Sequence, residues 1–188
     1  MRSLIYSMTV SLDGFIAGPD GAIDWSVPDE ELFAFHTQRV QQTGVQLCGR
    51  RLYETMVYWE EAEETQLTAQ EVEFAHIWKA LPKVVFSTTL ESVVGNTRLA
   101  RDGVGEEVSR LKEQPGKDIA VGGAGLARAC MKLGLIDEWH LFLSPVLLGG
   151  GTPYFPSVDK KINMELVDTQ TFGSRVVYVR YRRASDGL

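Results

Sequence analysis

The chain has 188 residues, of which 44% are hydrophobic and 23% charged, and this composition is ordinary for a globular domain with its own core. A core of this size needs no disulfide framework, which excludes the disulfide-stapled miniature folds. The formal net charge of -6 offers no positive field to a phosphate backbone. Nucleic acid is therefore not an expected partner, and any phosphate site has to be local.

The two cysteines and the apolar segments indicate a cytoplasmic protein. Cys48 and Cys130 lie far apart and outside any C-x-x-C spacing, which favours free thiols in a reducing compartment. No apolar run reaches the roughly 18 residues of a membrane-spanning helix, and the first ten residues are typical of a strand. No membrane partner is therefore expected.

The first half of the chain alternates between predicted strands and helices. Residues 2–10 predict a strand, and a mobile loop rich in glycine and aspartate follows over Ser11–Trp25. A helix opens at Pro28, with acidic residues in its first turn, and ends by Gly44. Val45–Cys48 predicts a short buried strand, which is followed by one or two helical turns.

The second half continues this alternation and then changes. A charged, helix-prone stretch reaches about Ala80, and the predicted elements after it are a strand at residues 83–89, a helix at Glu106–Glu113, a strand at Asp118–Val121 and a helix at Leu126–Leu133. The segments Trp139–Leu148, Ile162–Thr171 and Val176–Arg183 are rich in β-forming residues. The order predicts one α/β domain over residues 1–188, with a mostly parallel sheet that ends in an antiparallel hairpin.

A glycine cluster carries the strongest chemical signal. Gly122-Gly123-Ala124-Gly125 stands between a predicted strand and a predicted helix, where backbone N–H groups and the helix N-terminus favour a pyrophosphate. The alternative is a tight turn without a ligand. The dinucleotide fingerprint G-x-G-x-x-G is incomplete, because Arg128 stands where its third glycine belongs. The cluster also follows a late strand, whereas the fingerprint expects the first.

Two other strand ends carry groups that suit phosphate. Gly49 is followed by Arg50 and Arg51, whose guanidinium groups can bind a phosphate in an otherwise acidic chain. The alternative is a solvated basic pair balanced by nearby glutamates. The hydroxyls of Ser87, Thr88 and Thr89 stand at the end of a third strand. Because ligands of open α/β sheets bind at the carboxyl ends of the strands, the three ends together suit a ligand with two separated phosphate groups.

The histidines, the triple glycine and two glutamates give weaker indications of function. His36, His76 and His140 lack metal-ligand spacing, so no metal is expected, and His140 is interpreted as a structural histidine. The triple glycine at residues 149–151 is interpreted as a turn or bulge between strands. Glu30 and Glu31 stand at a helix start, where acids interact favourably with the helix dipole. Alternatively, one of them projects into a pocket and relays a proton.

Several blocks of the sequence resemble dihydrofolate reductase in order and spacing. They are W-S-V-P-D-E-E-L-F-A-F, L-C-G-R-R-L-Y-E, V-V-F-S-T and V-G-G-A-G-L. The N-terminal MTVSLDGFIAG and the later LIDEWHLFLSPVLLGGGTPYF resemble more closely the reductase domain at the C-terminus of the bifunctional riboflavin-biosynthesis deaminase-reductase and its free-standing relatives. Together the blocks cover most of the chain.

The resemblance implies a dihydrofolate-reductase-like α/β fold that binds NADPH and transfers hydride. Gly49, Arg50 and Arg51 would bind the cofactor phosphates, with Ser87 or Thr88 near the adenosine 2′-phosphate. Ile16 and Ala17 match the segment that covers the nicotinamide. The residues that would hold the pyrophosphate and pass the nicotinamide ribose are Gly122, Gly123, Ala124, Gly125 and Leu126.

The resemblance is less clear for the residues that would bind the hydride acceptor. The carboxylate that binds the pteridine in dihydrofolate reductase falls at Glu30 or Glu31, and Asp13 is a substrate-side candidate with a structural turn as its alternative. The expected function is an NADPH-dependent reductase of a small heterocyclic or ribosyl-pyrimidine substrate. The alternatives are a dihydrofolate or pteridine reductase, and a nucleotide-binding protein without turnover. A homodimer is expected from the β-rich C-terminal segments.

Overall fold

The computed structural model describes residues 1–155, 157 and 161–184. Its strands are β1 (Leu4–Ser11), β2 (Phe15–Ala17), β3 (Val45–Gly49), β4 (Lys83–Phe86), β5 (Thr97–Leu99), β6 (Ile119–Gly122), β7 (Glu138–Ser144), β8 (Thr152–Pro153), β9 (Met164–Thr171) and β10 (Val177–Arg183). Its helices are α1 (Glu30–Gln41), α2 (Arg50–Met56), α3 (Tyr58–Glu61), α4 (Ala69–Ala80), α5 (Val104–Glu113) and α6 (Ala124–Lys132). Short 3-10 turns lie at Asp24–Ser26 and Glu64–Gln66.

Eight of these strands form one sheet in the order β5-β4-β3-β6-β1-β7-β10-β9. The six strands from β5 to β7 run parallel, whereas β10 is antiparallel to both β7 and β9. The prediction of a mostly parallel α/β sheet with a C-terminal antiparallel hairpin is therefore confirmed. Within the described residues, no helix is both long and apolar enough to cross a bilayer.

Three short strands were not predicted. β5 has three residues, and β2 and β8 form a separate two-stranded sheet inside segments that were interpreted as loop or turn. Strands this short contain too few alternating positions for a periodic pattern to show. The predicted strand Trp139–Leu148 is also shorter at its end, because β7 stops at Ser144 before Pro145, which has no N–H to donate to a sheet ladder.

The two faces of the main sheet are covered by different helices. Helices α5 and α6 pack on one face, where the buried core includes Leu4 and Tyr6 of β1, Leu47 of β3 and Val121 of β6. Helix α1 covers Phe142 and Tyr178 on the other face, and α2 packs there on Cys48. Because the six strands from β5 to β7 are parallel, their carboxyl ends lie at one edge of the sheet. Helices α2 and α6 begin at this edge, directly after β3 and β6.

Candidate active site

Two glycines cap helices at neighbouring strand ends. Gly49 ends β3 and caps α2, and Gly123 follows β6 and caps α6. Cys48 pairs with Gly122 in the parallel β3–β6 ladder, which brings both caps together at the carboxyl edge of the sheet. A Cβ placed on Gly123 would lie 3.9 Å from the backbone nitrogen of Gly49. The predicted glycine cradle and the start of the predicted arginine pair therefore lie next to each other.

The glycines of the cradle meet different requirements. Gly123 has φ 90° and ψ 126°, a conformation that L side chains rarely adopt. A Cβ on Gly122 would collide with Cδ2 of Leu52 on α2, whereas a Cβ on Gly125 would meet open space. The first turn of α6 is therefore open to a ligand, and its unpaired backbone N–H groups suit an anion. Ala124 is half-buried in this turn, and Leu126 is buried behind it.

The arginine and hydroxyl groups come together at the same edge. The Arg50 guanidinium donates from Nε to Oε1 of Glu54 at 2.7 Å and from Nη1 to Oγ1 of Thr89 at 2.8 Å. The Ser87 hydroxyl accepts hydrogen bonds from the backbone nitrogens of Thr89 and Leu90 and shapes this turn. Arg51 and Thr88 are exposed beside them. Thr89 belongs to the predicted run of hydroxyls at this strand end, although the resemblance assigned only Ser87 and Thr88 to the cofactor.

The predicted mobile loop is anchored over part of its length. Phe15 and Ala17 pair with β8, and the Ile16 side chain packs into the core with 9% of its surface exposed. A Cβ on Gly151 would collide with the carbonyl oxygen of Ala17, so the triple-glycine turn and β2 approach each other closely. The prediction that Ile16 and Ala17 cover a nicotinamide stays a prediction.

Asp13 lies in a tight set of hydrogen bonds between two loops. Its carboxylate accepts from the Ser11 hydroxyl at 2.6 Å and from the backbone nitrogen of Gly149 at 2.7 Å. The backbone nitrogen of Leu148 donates to both of its oxygens. The hydrogen bond from Ser11, followed by those from the backbone, holds the pKa of Asp13 below its usual value. This geometry supports the structural alternative that the sequence left open.

The two acidic candidates lie at the start of α1. Asp29 caps the helix through the backbone nitrogen of Leu32, and Glu30 and Glu31 are exposed in its first turn. Oε2 of Glu31 accepts a hydrogen bond from the backbone nitrogen of Gly173 at 2.9 Å. Glu31 thus contacts the loop between β9 and β10, while Glu30 stands free of that contact. Which of them relays a proton stays a prediction.

A strip of the central sheet is only partly covered on the face that carries α1 and α2. In the central strands, Ile5 of β1, Ala120 of β6 and Gln46 of β3 are cross-strand partners and share one face. All three are only half-buried, although central strands are normally covered on both faces. On the same face of β1, Ser7 pairs with His140, and the latter is covered by α1 through Arg39. This partly covered strip lies beside Gly122 of the cradle, since Nε2 of Gln46 is 3.5 Å from where a Cβ on Gly122 would be.

His140 is the structural residue that the sequence indicated. Nη2 of Arg39 lies 2.8 Å from its Nδ1, so Nδ1 acts as the acceptor and Nε2 donates to Glu138 at 3.0 Å. Arg180 binds both oxygens of Glu138. Burial alone would raise the pKa of Glu138, but the hydrogen bonds from His140 and Arg180 outweigh it and lower the pKa to about 2. This network ties α1 to β7 and β10.

Two concavities lie outside the cradle. A groove of about 720 Å³ opens at the opposite, amino edge of the strands and is lined by Lys83, Thr97, Arg98, Arg101 and Arg110, among others. A smaller pocket of about 290 Å³ lies between Trp25, the start of α1 and the end of β7. The larger groove is remote from every predicted site residue, since those cluster at the carboxyl edge.

The sequence family agrees with this architecture. The family model described as the RibD C-terminal domain matches residues 2–178. The chain belongs to this family. In Bacillus subtilis strain 168, two proteins of the same length class are similar over nearly the whole chain. The "uncharacterized protein YyaP" is 36% identical, and the match covers 96% of this chain and 94% of that protein. The "uncharacterized protein YwjB" is 30% identical, and the match covers 97% of this chain and 99% of that protein.

Solved structures show the same fold. A putative riboflavin biosynthesis protein from Shewanella sp. PV-4 has a TM-score of 0.77 at 21% identity, with coverage of 98% of this chain and 100% of its own. The Thermotoga maritima diaminohydroxyphosphoribosylaminopyrimidine deaminase/5-amino-6-(5-phosphoribosylamino)uracil reductase has a TM-score of 0.66 at 17% identity. The match covers 97% of this chain and 57% of that protein. Dihydrofolate reductase from Enterococcus faecalis, complexed with NADP(H), has a TM-score of 0.65 at 14% identity, and the match covers 97% of both chains. The resemblance to these two reductases is confirmed at the level of fold.

Proposed function

We propose that this chain is an NADPH-dependent reductase that transfers hydride to a small heterocyclic or ribosyl-pyrimidine-type substrate. The observation that carries the proposal is the contact between the Gly49 and Gly123 caps at one sheet edge, beside Arg50. Membership of the RibD C-terminal domain family supports it, because reductases of this family typically use NADPH. When bound, NADPH supplies the hydride.

The residues at the carboxyl edge suit the parts of such a cofactor. The N-terminus of α6, with Gly122–Gly125 open before it, fits the pyrophosphate. Arg50 and Arg51, with the hydroxyls of Ser87 and Thr88, fit the 2′-phosphate, because guanidinium forks bind phosphate oxygens in pairs. The partly covered strip of sheet beside Gly122 offers the acceptor a place next to the nicotinamide ribose. Reduction then needs orientation, exclusion of water and one proton.

Cofactor preference tests the phosphate assignment. We expect Arg50→Ala and Arg51→Ala each to weaken NADPH about tenfold while NADH binding changes little, since one charged hydrogen bond corresponds to roughly that factor. Isothermal titration calorimetry measures both affinities. Arg101→Ala, an exposed arginine lining the groove at the opposite edge, is the matched control. Equal losses for both cofactors, or no binding of NADPH to the unaltered protein, contradict the assignment.

Proton delivery is tested at the start of α1. We expect Glu30→Gln or Glu31→Gln to lower kcat at least tenfold with an unchanged NADPH affinity, because an amide keeps the shape of the carboxylate but relays no proton. Absorbance of the reduced cofactor is followed with pteridines, pyrimidines and small carbonyls as acceptors. Unchanged turnover in both variants removes these acids from the proton relay. NADPH binding without oxidation by any acceptor favours the nucleotide-binding protein without turnover.

A further inference from the structure

The groove at the amino edge of the sheet lies apart from the proposed cofactor site. Its volume of about 720 Å³ is in the range of small-molecule pockets, roughly 300–1,000 Å³. It is lined by the starts of β3, β4 and β5 and by α5, and we name it the amino-edge groove. The strand β3 spans about 16 Å between this groove and Gly49, since a strand rises about 3.3 Å per residue. A small ligand in the groove would therefore not contact the glycine cradle.

The floor of the amino-edge groove is apolar. Val45 of β3, Val84 of β4 and Leu111 of α5 line it, and all three are buried members of the main core. Val84 pairs with Arg98 in the parallel β4–β5 ladder, so these two side chains lie on the same face of the sheet. The floor therefore suits an apolar ring that lies beside a guanidinium group.

Two arginines of the groove are held in place by one buried carboxylate. Arg98 binds Glu107 of α5 with two of its nitrogens, and Arg110 binds it through Nη2 at 2.5 Å. The Glu107 side chain is fully buried, whereas the arginine side chains are 44% and 50% exposed. Each guanidinium has five N–H groups, so both arginines retain donors for a further acceptor. The shared carboxylate thus fixes two donors at the groove and compensates one of their charges.

Arg101 adds a charge that has no partner among the described residues. The ion pairs near it join Arg110 to Asp102, at 3.4 Å, and to Glu107, and Arg101 belongs to neither of them. Arg101 is exposed and lines the groove. Together with Arg98, three arginines stand against two carboxylates, which leaves one positive charge in excess. This excess is local, because the chain as a whole has a net charge of -6.

The remaining charged groups around the groove are directed elsewhere. Lys83 belongs to the lining, but its Nζ is buried beside Glu60 at 2.9 Å. Glu106 and Glu113 stand about one turn before and after Arg110 on α5, where they are exposed and outside the lining. No acidic residue is among the described residues that line the groove. Because exposed charges are screened by water and salt, we expect an anion to bind on the β5 side, away from these two glutamates.

We propose that the amino-edge groove is a second ligand site, which takes a small aromatic monocarboxylate. The ring would lie on Val45, Val84 and Leu111, and the carboxylate would accept hydrogen bonds from Arg98 and Arg101. One negative charge matches the local excess. A phosphate dianion would bring a second charge that no cation compensates, so it is expected to bind less well. The site shares no residue with the proposed cofactor site, and the inference does not depend on the proposed function.

The experiment uses 2-naphthoate and three relatives that each change one property. 2-Naphthamide keeps the ring without the charge, acetate keeps the carboxylate without the ring, and 2-naphthyl phosphate at pH 8 is a dianion. Titrations followed by ¹H–¹⁵N NMR measure affinity and location together. We expect 2-naphthoate to shift the amides of Val84, Arg98 and Leu111 and to bind at least tenfold more tightly than each relative, since one charged hydrogen bond corresponds to roughly that factor. Shifts confined to the cradle amides of Gly123 and Gly125, or equal affinity for the neutral amide, overturn the inference.

Arg101→Ala tests the charged side of the groove. We expect this variant to bind 2-naphthoate at least fivefold more weakly with an unchanged thermal midpoint, because the side chain is exposed and unpaired in the described part of the fold. The matched control is Arg175→Ala, which removes an exposed arginine from the turn between β9 and β10. Equal affinity of Arg101→Ala and the unaltered protein, or tighter binding of 2-naphthyl phosphate than of 2-naphthoate, overturns the inference. Failure of NADPH to bind the unaltered protein contradicts only the proposed function.

Discussion

At the scale of single residues, the hydrogen bonds of Asp13 favour a structural carboxylate over one that acts on the substrate. The sequence places it in a glycine-rich loop, where either function is reasonable. In the fold, its oxygens accept hydrogen bonds from one hydroxyl and two backbone nitrogens, and those nitrogens, of Leu148 and Gly149, are 135 and 136 positions from Asp13 along the chain. A carboxylate with several donors stays ionised and is a poor proton donor at neutral pH.

Removal of this carboxylate tests the structural function. We expect Asp13→Ala to lower the thermal midpoint and to speed hydrogen exchange at the amides of Leu148 and Gly149, because both lose their acceptor. Amide exchange followed by NMR or mass spectrometry measures the effect. Asp20→Ala, an exposed aspartate of the same loop, serves as the control. If protection of these amides is unchanged while acceptor KM rises, Asp13 acts on the substrate instead.

At the scale of elements, the β6–α6 junction depends on one glycine conformation. Gly123 has φ 90°, and its replacement by any L residue strains the backbone by about 1–3 kcal/mol. Gly125 lies two residues further on, in the first turn of the helix and with open space around it. Alanine there is favoured by helix propensity by roughly 0.5–1 kcal/mol.

The two glycines therefore give a matched pair of variants. We expect Gly123→Ala to lower the free energy of unfolding by about 1–3 kcal/mol and to weaken NADPH at least tenfold, because the strained turn shifts the α6 N-terminus. Gly125→Ala is expected to leave stability unchanged or slightly raised. Urea unfolding and calorimetric titration measure both properties. Equal stability of the two variants contradicts the assigned conformation.

The packing of α1 on β7 sets a pH dependence. Burial of His36 against Phe142 lowers its pKa from 6.5 to about 4, and burial also lowers the pKa of His140 beside Arg39. The unfolded chain thus binds more protons than the fold below pH 6.5, and stability falls as the pH is lowered towards 4. Glu138 contributes in a separate window, because its pKa of about 2 means that its contribution is lost between about pH 4.5 and 2.

Replacement of His36 tests this dependence. We expect the unaltered protein to lose on the order of 2 kcal/mol between pH 7 and pH 4.5, and His36→Leu to lose clearly less, because the protonation difference at position 36 is removed. Urea unfolding at pH 7, 5.5 and 4.5 measures the loss. His76→Leu, an exposed histidine paired with Glu64, is the control. A pH dependence that is the same in His36→Leu and the unaltered protein contradicts the assignment.

At the scale of the whole molecule, the sheet ends on an eight-residue edge strand. β9 pairs only with β10 among the described strands, and its Leu166 and Val167 side chains are 56% and 41% exposed. Unpaired edges with apolar side chains are sites of strand addition or association. The homodimer expected from the sequence stays a prediction, and this edge is the surface on which we test it.

We expect light scattering to give twice the mass of 20.9 kDa for the unaltered protein at micromolar concentrations. Leu166→Lys combined with Val167→Lys is expected to give the single mass, because two charges would have to be buried on association. Leu133→Lys, at an exposed leucine after α6, is the control. A single mass for the unaltered protein refutes the homodimer.

The sequence by itself determined the β–α order, the antiparallel end and the residue types at the strand ends. It did so because periodicity, helix caps and turns depend on residues that are near each other in the chain. Gly122–Gly125 and Arg50 were selected in this way as candidate site residues, and their binding of a ligand stays a prediction. The structural character of His140 was indicated by the same kind of local pattern. That residues 1–188 form one domain stays a prediction.

The tertiary structure alone decided which strand ends adjoin. β3, β6 and β1 are neighbours in the sheet although they begin at Val45, Ile119 and Leu4, far apart in the chain. This order brings Gly49 to Gly123. It also joins Asp13 to Gly149 and anchors β2 on β8. These contacts are the joint result of packing among distant segments, and no local pattern encodes them.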